Sequence, residues 1–272
     1  MLFVLGVSLA LLVTISVARI AFLKDLGPLT VGSCALGAAF LLYLPSVDRW
    51  LDPAAERAIG IANLSDIVHI LLTLLTWWAL GVAALRVLRR ESPLHAWIRK
   101  VMAENSRVRE FLLLLRGDRS PDAAAERVWG IASLCEAIAV AVVWAFAGLR
   151  TTEVGDMLEL HDAGTRTLAV MYSSWALVGG VLVVTACLIG LRAPAPPEQR
   201  IPIWVILGAG FCGAGYTTTA ALVVLFGGTS ALRENAQSIM AFWAIPGLAL
   251  LAFGGTAALV RGAHRRCATG HE

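Results

Sequence analysis

Long apolar stretches constrain this chain more than any other feature of its sequence. Seven of them carry few charges, and each has at least the roughly 20 residues that a helix needs to cross a hydrocarbon core about 30 Å thick. They cover about residues 2–22, 27–46, 65–88, 128–149, 167–191, 202–226 and 239–260. With 58% hydrophobic and 15% charged residues, the chain is far from the composition of soluble globular domains. The sequence therefore predicts an all-α, multi-pass membrane protein, with residues 1–272 forming a single transmembrane helical domain.

The length of these stretches also decides between the two structures that can span a bilayer. Strands of a β-barrel need only about ten residues of strictly alternating hydrophobicity. These stretches are about twice as long and mix Leu, Val, Ala and Gly without a period of two. The first stretch has no basic segment before its apolar run, so we expect it to be retained as a helix rather than cleaved as a signal peptide.

Basic residues predict the orientation of the helices, because Lys and Arg accumulate on the cytoplasmic side. With the N-terminus outside and the C-terminus in the cytoplasm, 17 of the 22 Lys and Arg residues face the cytoplasm. The outer side then receives only Arg49, Arg57, Arg150, Arg166 and Arg233. The net charge of +3 thus reflects topology, and no nucleic-acid partner is expected.

The longest polar connection, residues 89–127, carries an apolar stripe at helical spacing with basic residues on its other faces. The sequence predicts a basic amphipathic helix on the cytoplasmic surface of the bilayer. Its contacts with anionic lipid headgroups would come from Arg99, Lys100, Arg107 and Arg109. Two alternatives stay open: a loop whose charge only fixes topology, and a helix that docks a protein partner.

Polar residues inside the apolar stretches are the main candidates for a functional site, because they are costly in lipid. Four of them follow one another at spacings of three and four residues on one helix face that Trp77 continues, namely Asn63, Asp66, His69 and Thr73. Hydroxyl residues of the fifth and sixth stretches would meet them in a polar cavity, namely Tyr172, Ser173, Tyr216 and Thr217. Helix capping and interhelical hydrogen bonding remain the structural alternatives.

Glu136 is the most unusual of the polar residues in the apolar stretches. About eight residues, or roughly 12 Å, separate it from the cytoplasmic end of its predicted helix. A carboxylate at that depth must be protonated, paired or hydrated. One hypothesis makes Glu136 a proton-titrating or cation-coordinating group on a substrate or ion path with His69 and Asp66. The other makes it a structural hydrogen-bonding partner of a neighbouring helix.

The sequence also contains an internal repeat. Residues 54–66, AAERAIGIANLSD, and residues 124–136, AAERVWGIASLCE, share eight of thirteen positions. Because the two segments enter consecutive spans, an ancestral duplication would make them an inverted repeat of the kind from which transporters build midplane sites. Chance similarity between alanine-rich helix starts is the alternative.

Sequence signatures of catalysis and of cofactors are missing. The chain contains no HExxH, GxSxG, Walker or CxxC motif, so no enzymatic activity is expected. The seventh stretch has no lysine for a retinal Schiff base, and His69 is the only histidine inside a span, which argues against a bis-histidine haem site. We expect no metal, no cofactor and no disulfide.

The segment DRWLDPAAERAIGIANLSDIVHILLTLL, residues 48–75, carries Gly60, Asn63, Leu64 and His69 at recognisable positions. It resembles an actinobacterial family of seven-helix integral membrane proteins that are described as candidate transporters or membrane regulators. The stretches YSSWALVGGVLVVTACLIGLR and LGAGFCGAGYTTTAAL are similar to that family's fifth and sixth spans. The resemblance implies the seven-helix fold in a bacterial plasma membrane. Members of that family usually continue after the seventh span into a C-terminal soluble domain, which we do not expect in this chain.

Two functions fit these observations. The first is a small transporter or permease-like protein of unknown substrate. The second is a membrane sensor, regulator or assembly factor that transports nothing and acts through contacts with a protein partner or with further copies of itself.

Overall fold

The computed structural model of the chain describes residues 10, 12–18, 20–21, 27–42, 44–88, 100, 103–104, 121–147, 162–192, 197–226, 239 and 242–251. All regular secondary structure in this part of the chain is helical. A helical stretch over 12–18 is followed by α1 (Pro28–Leu42), α2 (Pro45–Ile59), α3 (Leu64–Leu88), α4 (Pro121–Phe146), α5 (Ala163–Arg192), α6 (Pro197–Phe226) and α7 (Phe242–Leu251).

Four of these helices are long and apolar enough to cross a membrane, and their apolar segments are Leu64–Arg86, Ala125–Phe146, Ala163–Arg192 and Ile203–Val223. This confirms the coarse prediction of an all-helical chain with membrane-type helices. The predicted first and seventh spans are covered in part, by 12–18 and by α7. The remaining residues of those two spans lie outside the described part of the chain.

The predicted second span, 27–46, differs from the structure. α1 ends at Leu42, so it has 15 residues, or about 22 Å at 1.5 Å per residue. Leu44 is extended, with φ −71° and ψ 125°, because a residue before proline is kept out of the helical region. Pro45 then begins α2, since a proline at the first helical position lacks only an N–H that would have no intrahelical partner.

α3 is the central helix of the bundle and α4 lies at its edge. α3 contacts α1, α2, α4 and α5, and 61% of its apolar segment is buried, against 22% of that of α4. The outer face of α4 exposes large apolar side chains, namely Ile131, Leu134, Ile138, Val142 and Phe146. A surface of this kind is suited to lipid rather than to water.

Glycines let indole rings pack directly on helix backbones. Trp77 of α3 is only 3% exposed and lies between α5 and α6, where a Cβ on Gly179 would come within 2.9 Å of its ring and one on Gly213 within 3.0 Å. Trp129 of α4 covers Gly81 of α3 in the same way, at 2.3 Å from a Cβ placed there. Small residues at helix contacts are typical of bundles in lipid, where close approach replaces the hydrophobic effect.

The two copies of the internal repeat have different backbone structures. The first copy is broken: Gly60 ends α2 in a left-handed conformation, with φ 66°, and Asn63 is also left-handed, with φ 50°. The second copy is continuous helix within α4. At the position matching Asn63, the Ser133 hydroxyl donates to the Trp129 carbonyl one turn earlier, at 2.8 Å. The copies are therefore similar in sequence but not equivalent as structural units.

A buried carboxylate stabilises the break in the first copy. Asp52 of α2 is 8% exposed and accepts two hydrogen bonds from Ser65, from the backbone N–H at 2.8 Å and from the hydroxyl at 2.7 Å. The Ser65 N–H belongs to the first turn of α3, where backbone donors have no intrahelical acceptor. Asp52 thus caps α3 from a neighbouring helix. Cys135 occupies the matching position of the second copy and has no hydroxyl to offer.

Candidate functional site

A cavity of about 60 Å³ lies inside the bundle, where α1, α3, α5, α6 and α7 meet. Five of the nine residues predicted for the substrate or ion path line it, namely His69, Thr73, Tyr172, Tyr216 and Thr217. The structure thus brings together polar side chains from three helices that the sequence had related only by their depth. Glu136, Asp66, Asn63 and Ser173 do not line the cavity.

His69 is held in one orientation on the α1 side of the cavity. It is 4% exposed, and its Nδ1 lies 2.9 Å from the Ala39 carbonyl oxygen of α1. Because a carbonyl oxygen only accepts, Nδ1 is the donor, and the Nε2 atom of the neutral ring carries the acceptor lone pair. The Phe40 ring meets the imidazole edge to face, with centroids 6.1 Å apart and an interplanar angle of 86°. The Ala39 carbonyl therefore sets the tautomer.

The threonine hydroxyls at the cavity donate to backbone carbonyls. Thr73 donates to the His69 carbonyl at 3.0 Å, and Thr76 donates to the Leu72 carbonyl at 3.0 Å. Thr217 lies 3.2 Å from a backbone carbonyl one turn earlier in α6. Since each hydroxyl has only one hydrogen, these three side chains offer the cavity oxygen lone pairs rather than donors.

Tyr172 presents a buried hydroxyl to the same cavity. Its side chain is 3% exposed. Its oxygen faces the Thr73 hydroxyl but makes no hydrogen bond of good geometry among the described residues. A buried hydroxyl without a partner costs roughly 1–3 kcal/mol relative to a satisfied one. A polar molecule in the cavity would supply the missing partner.

The remaining candidates of α3 and α5 have structural positions. Ser173 donates to the Thr217 carbonyl at 2.7 Å, which joins α5 to α6 beside the cavity. Asn63 is 2% exposed and occupies the left-handed position just before α3. Asp66 lies in the first turn of α3, where a carboxylate is favoured by the helix dipole.

Glu136 lies on α4, away from the cavity. It is half-buried, and its Oε1 atom is buried without a hydrogen-bond partner among the described residues. α4 supplies none of the residues that line the cavity. The structure therefore does not join Glu136 to His69 in a single path, and its role as an ion carrier stays a hypothesis.

Only one of the four residues predicted to contact headgroups is described. Lys100 is exposed, with its Nζ 3.9 Å from Glu104 at the next helical turn. Arg99, Arg107 and Arg109 lie outside the described residues. α4 begins at Pro121 rather than near residue 128, so the end of the predicted 89–127 connection belongs to the helix. There Glu126 accepts two hydrogen bonds from Arg86 of α3, both at 3.1 Å.

Part of the aromatic wall of the cavity was missed by reasoning from the sequence. Phe40, Trp77 and Trp243 line it together with Cys212, and of these only Trp77 was marked by its spacing, on the helix face of His69 and Thr73. Aromatic residues are common throughout apolar helices, so nothing in their spacing marked Phe40 and Trp243. A second signal for Trp77 is the set of glycines at matching depth in α5 and α6, Gly179, Gly180 and Gly213, which leave room for one large ring.

Comparison with known proteins found no similar family and no similar protein. No family model, no curated protein and no solved structure matches this chain. Among the described residues, no group of three or more His, Cys, Asp and Glu side chains is close enough to hold a metal ion.

Proposed function

We propose that this chain is a small multi-pass transporter of the bacterial plasma membrane, and that the cavity around His69 is its solute site. The observation that carries the proposal is the meeting of six polar side chains from α3, α5 and α6 in one cavity inside an apolar bundle. Polar side chains in membrane helices are costly, so several that meet in one cavity are candidates for a solute path. Seven spans, an outer N-terminus and membership of the seven-helix family are parts of the same proposal.

The depth of the cavity supports transport. Thr73, Thr76 and Trp77 lie near the middle of the apolar segment Leu64–Arg86, and Gly213 lies at the middle of Ile203–Val223. Secondary transporters hold their solutes near the bilayer midplane, so that modest movements of helices can open the site to either side. A cavity at this depth between five helices has the same arrangement.

Cysteine labelling tests the proposal directly, because Cys212 lines the cavity. A single-cysteine variant would keep Cys212 and replace the other four cysteines, Cys34, Cys135, Cys187 and Cys267, by alanine. Oriented proteoliposomes would receive an uncharged, hydrophilic and membrane-impermeant thiol reagent on one side at a time. A transporter exposes its solute site to each side in turn, so Cys212 should be labelled from both.

A matched control keeps Cys135 instead of Cys212. Cys135 is exposed on α4 among apolar side chains, so it should face lipid and resist the hydrophilic reagent from either side. Labelling of Cys212 from one side only would overturn transport and favour a sensor or regulator, the second function that the sequence allows. Failure to label Cys212 from either side would contradict a solute site in this cavity.

A further inference from the structure

The charge of the cavity lining limits what the cavity can bind. None of the described residues that line it is Asp, Glu, Lys or Arg. An ion that enters an apolar bundle loses its hydration, and without a counter-charge the loss is not recovered. A solute that is stable in this cavity is therefore neutral.

The hydrogen-bonding groups of the cavity limit the solute further. Thr73, Thr76 and Thr217 donate their hydroxyl hydrogens to backbone carbonyls, so their free lone pairs call for donors on the solute. The Tyr172 hydroxyl has no partner among the described residues and can donate to an acceptor. The solute therefore carries at least one acceptor and at least one donor.

The size and the walls of the cavity favour a small flat molecule. A volume of about 60 Å³ corresponds to about four to six positions for water, at roughly 10–15 Å³ each. The rings of Phe40, Trp77 and Trp243 form part of the lining, and aromatic faces pack well against planar groups. An amide meets these conditions, because it is planar and neutral and combines a strong carbonyl acceptor with N–H donors.

We infer that the solute of the His69 cavity is a small neutral amide of about four to six non-hydrogen atoms, whose carbonyl accepts a hydrogen bond from Tyr172. Its N–H groups donate to the threonine oxygens. The inference deepens the proposed function and rests on the cavity being a solute site.

Three molecules of nearly identical shape test the charge and the chemical class of the solute. Acetamide, acetate and acetamidinium each have four non-hydrogen atoms but are neutral, negative and positive. The rate at which the thiol reagent modifies Cys212 would be measured in the single-cysteine protein with each solute present, and glycerol would serve as a neutral alcohol. Acetamide and methylurea should slow the labelling at least fivefold. Acetate, acetamidinium and glycerol should have no effect at the same concentration.

The variant Tyr172→Phe tests the hydrogen bond to the carbonyl. It removes one oxygen, and the concentration of acetamide that halves the labelling rate should rise about tenfold, as expected for a lost buried hydrogen bond. The matched control is Ser174→Ala, on the same helix, where the exposed Ser174 hydroxyl donates to the Met171 carbonyl. Protection by acetamide should not change in that control.

The outcomes separate this inference from the proposed function. If acetate or acetamidinium protects Cys212 as well as acetamide does, the solute need not be neutral. If glycerol protects equally well, the solute need not be an amide. If acetamide protects Tyr172→Phe as well as the parent, Tyr172 does not bind the carbonyl. If Cys212 is labelled from both sides but no amide protects it, the proposal of transport is supported and the identification of the solute as an amide is wrong. If Cys212 is labelled from one side only and an amide protects it, the identification of the solute is supported and the proposal of transport is wrong. The comparison of solutes on the single-cysteine protein with Tyr172 intact tests whether the solute is a neutral amide, even if Tyr172→Phe does not fold.

Discussion

At the scale of single residues, the contact between a glycine and an indole ring is the recurring device of this bundle. Trp129 packs on Gly81, donates its Nε1 hydrogen to the Trp78 carbonyl at 3.0 Å and stacks on Trp175 with centroids 4.8 Å apart. One tryptophan therefore joins α3, α4 and α5. The absence of a side chain on Gly81 makes this approach possible.

We predict that Gly81→Ala destabilises the protein by about 1–3 kcal/mol, the range for overpacking a well-filled core. The new Cβ would lie 2.3 Å from the Trp129 ring, so the indole would have to move away from α3. Gly130→Ala, at the same pair of helices, is the control, because its Cβ would lie 3.6 Å from Trp78. That change should be neutral or stabilising, since alanine favours helix by up to about 1 kcal/mol. Thermal unfolding in detergent measures both, and equal stability of the two variants would contradict the packing argument.

Glu136 is a second residue whose side chain can be tested by substitution. Its buried Oε1 has no partner among the described residues, and α4 does not reach the His69 cavity. We predict that Glu136→Gln and Glu136→Leu both fold, and that Glu136→Leu is more stable by about 1 kcal/mol, because an unsatisfied buried polar atom is removed. Labelling of Cys212 from both sides should not change in either variant. Its loss in Glu136→Gln would instead connect Glu136 to the solute path, as the sequence suggested.

At the scale of elements, the cap that Asp52 supplies to α3 explains why the two similar segments fold differently. In the first copy, Asp52 and Ser65 hold the chain on both sides of the break, and Asn63 tolerates the left-handed conformation better than most residues. In the second copy, Ser133 and Cys135 replace Asn63 and Ser65. The second copy thus lacks the left-handed Asn63 and the Ser65 hydroxyl of the break, and its helix continues.

We predict that Asp52→Ala lowers the stability of the protein by about 1–2 kcal/mol, the upper range for the loss of a helix cap. The Ser65 N–H would be left buried without its acceptor, and hydrogen exchange in the first turn of α3 should accelerate. Glu56→Ala is the control on the same helix, because that side chain is exposed. A similar effect of the two changes, or no change in exchange at Ser65, would argue against the cap.

The sequence could predict where the long apolar helices lie along the chain, but it could not predict how each helix is rotated about its axis. Apolar length located α3 and α6 to within a few residues, because lipid imposes a minimum length on each span. It missed α2, whose amphipathic 15 residues are too polar to be recognised by apolar length. Depth along the helices placed Thr73 and Tyr172 at one level, but only the rotation of each helix decides which side chains face inward. Glu136 shows a further limit, since none of the described residues of its helix lines the cavity.

At the scale of the whole molecule, contacts at the helix ends establish an antiparallel order for three helices. Arg86, near the end of α3, pairs with Glu126, near the start of α4. Ala147, just after α4, lies against Gly164 at the start of α5, where a Cβ would come within 2.8 Å of the Ala147 Cα. α3, α4 and α5 therefore run alternately up and down, as consecutive membrane spans do. The face of the membrane at which each helix begins depends on the distribution of charge.

The last prediction concerns that orientation. Because 17 of the 22 Lys and Arg residues fall on one side of the predicted topology, the positive-inside rule places that side in the cytoplasm. A reporter fused after Arg266 should be cytoplasmic, one inserted near Gly117 should agree with it, and one near Asp156 should be external. Replacing the outer Arg49 and Arg57 by Ser should leave this pattern unchanged, since these changes only strengthen the asymmetry. A cytoplasmic reading near Asp156 together with an external one after Arg266 would invert the topology, whereas disagreement between the Gly117 and Arg266 reporters would instead refute the number of spans between them.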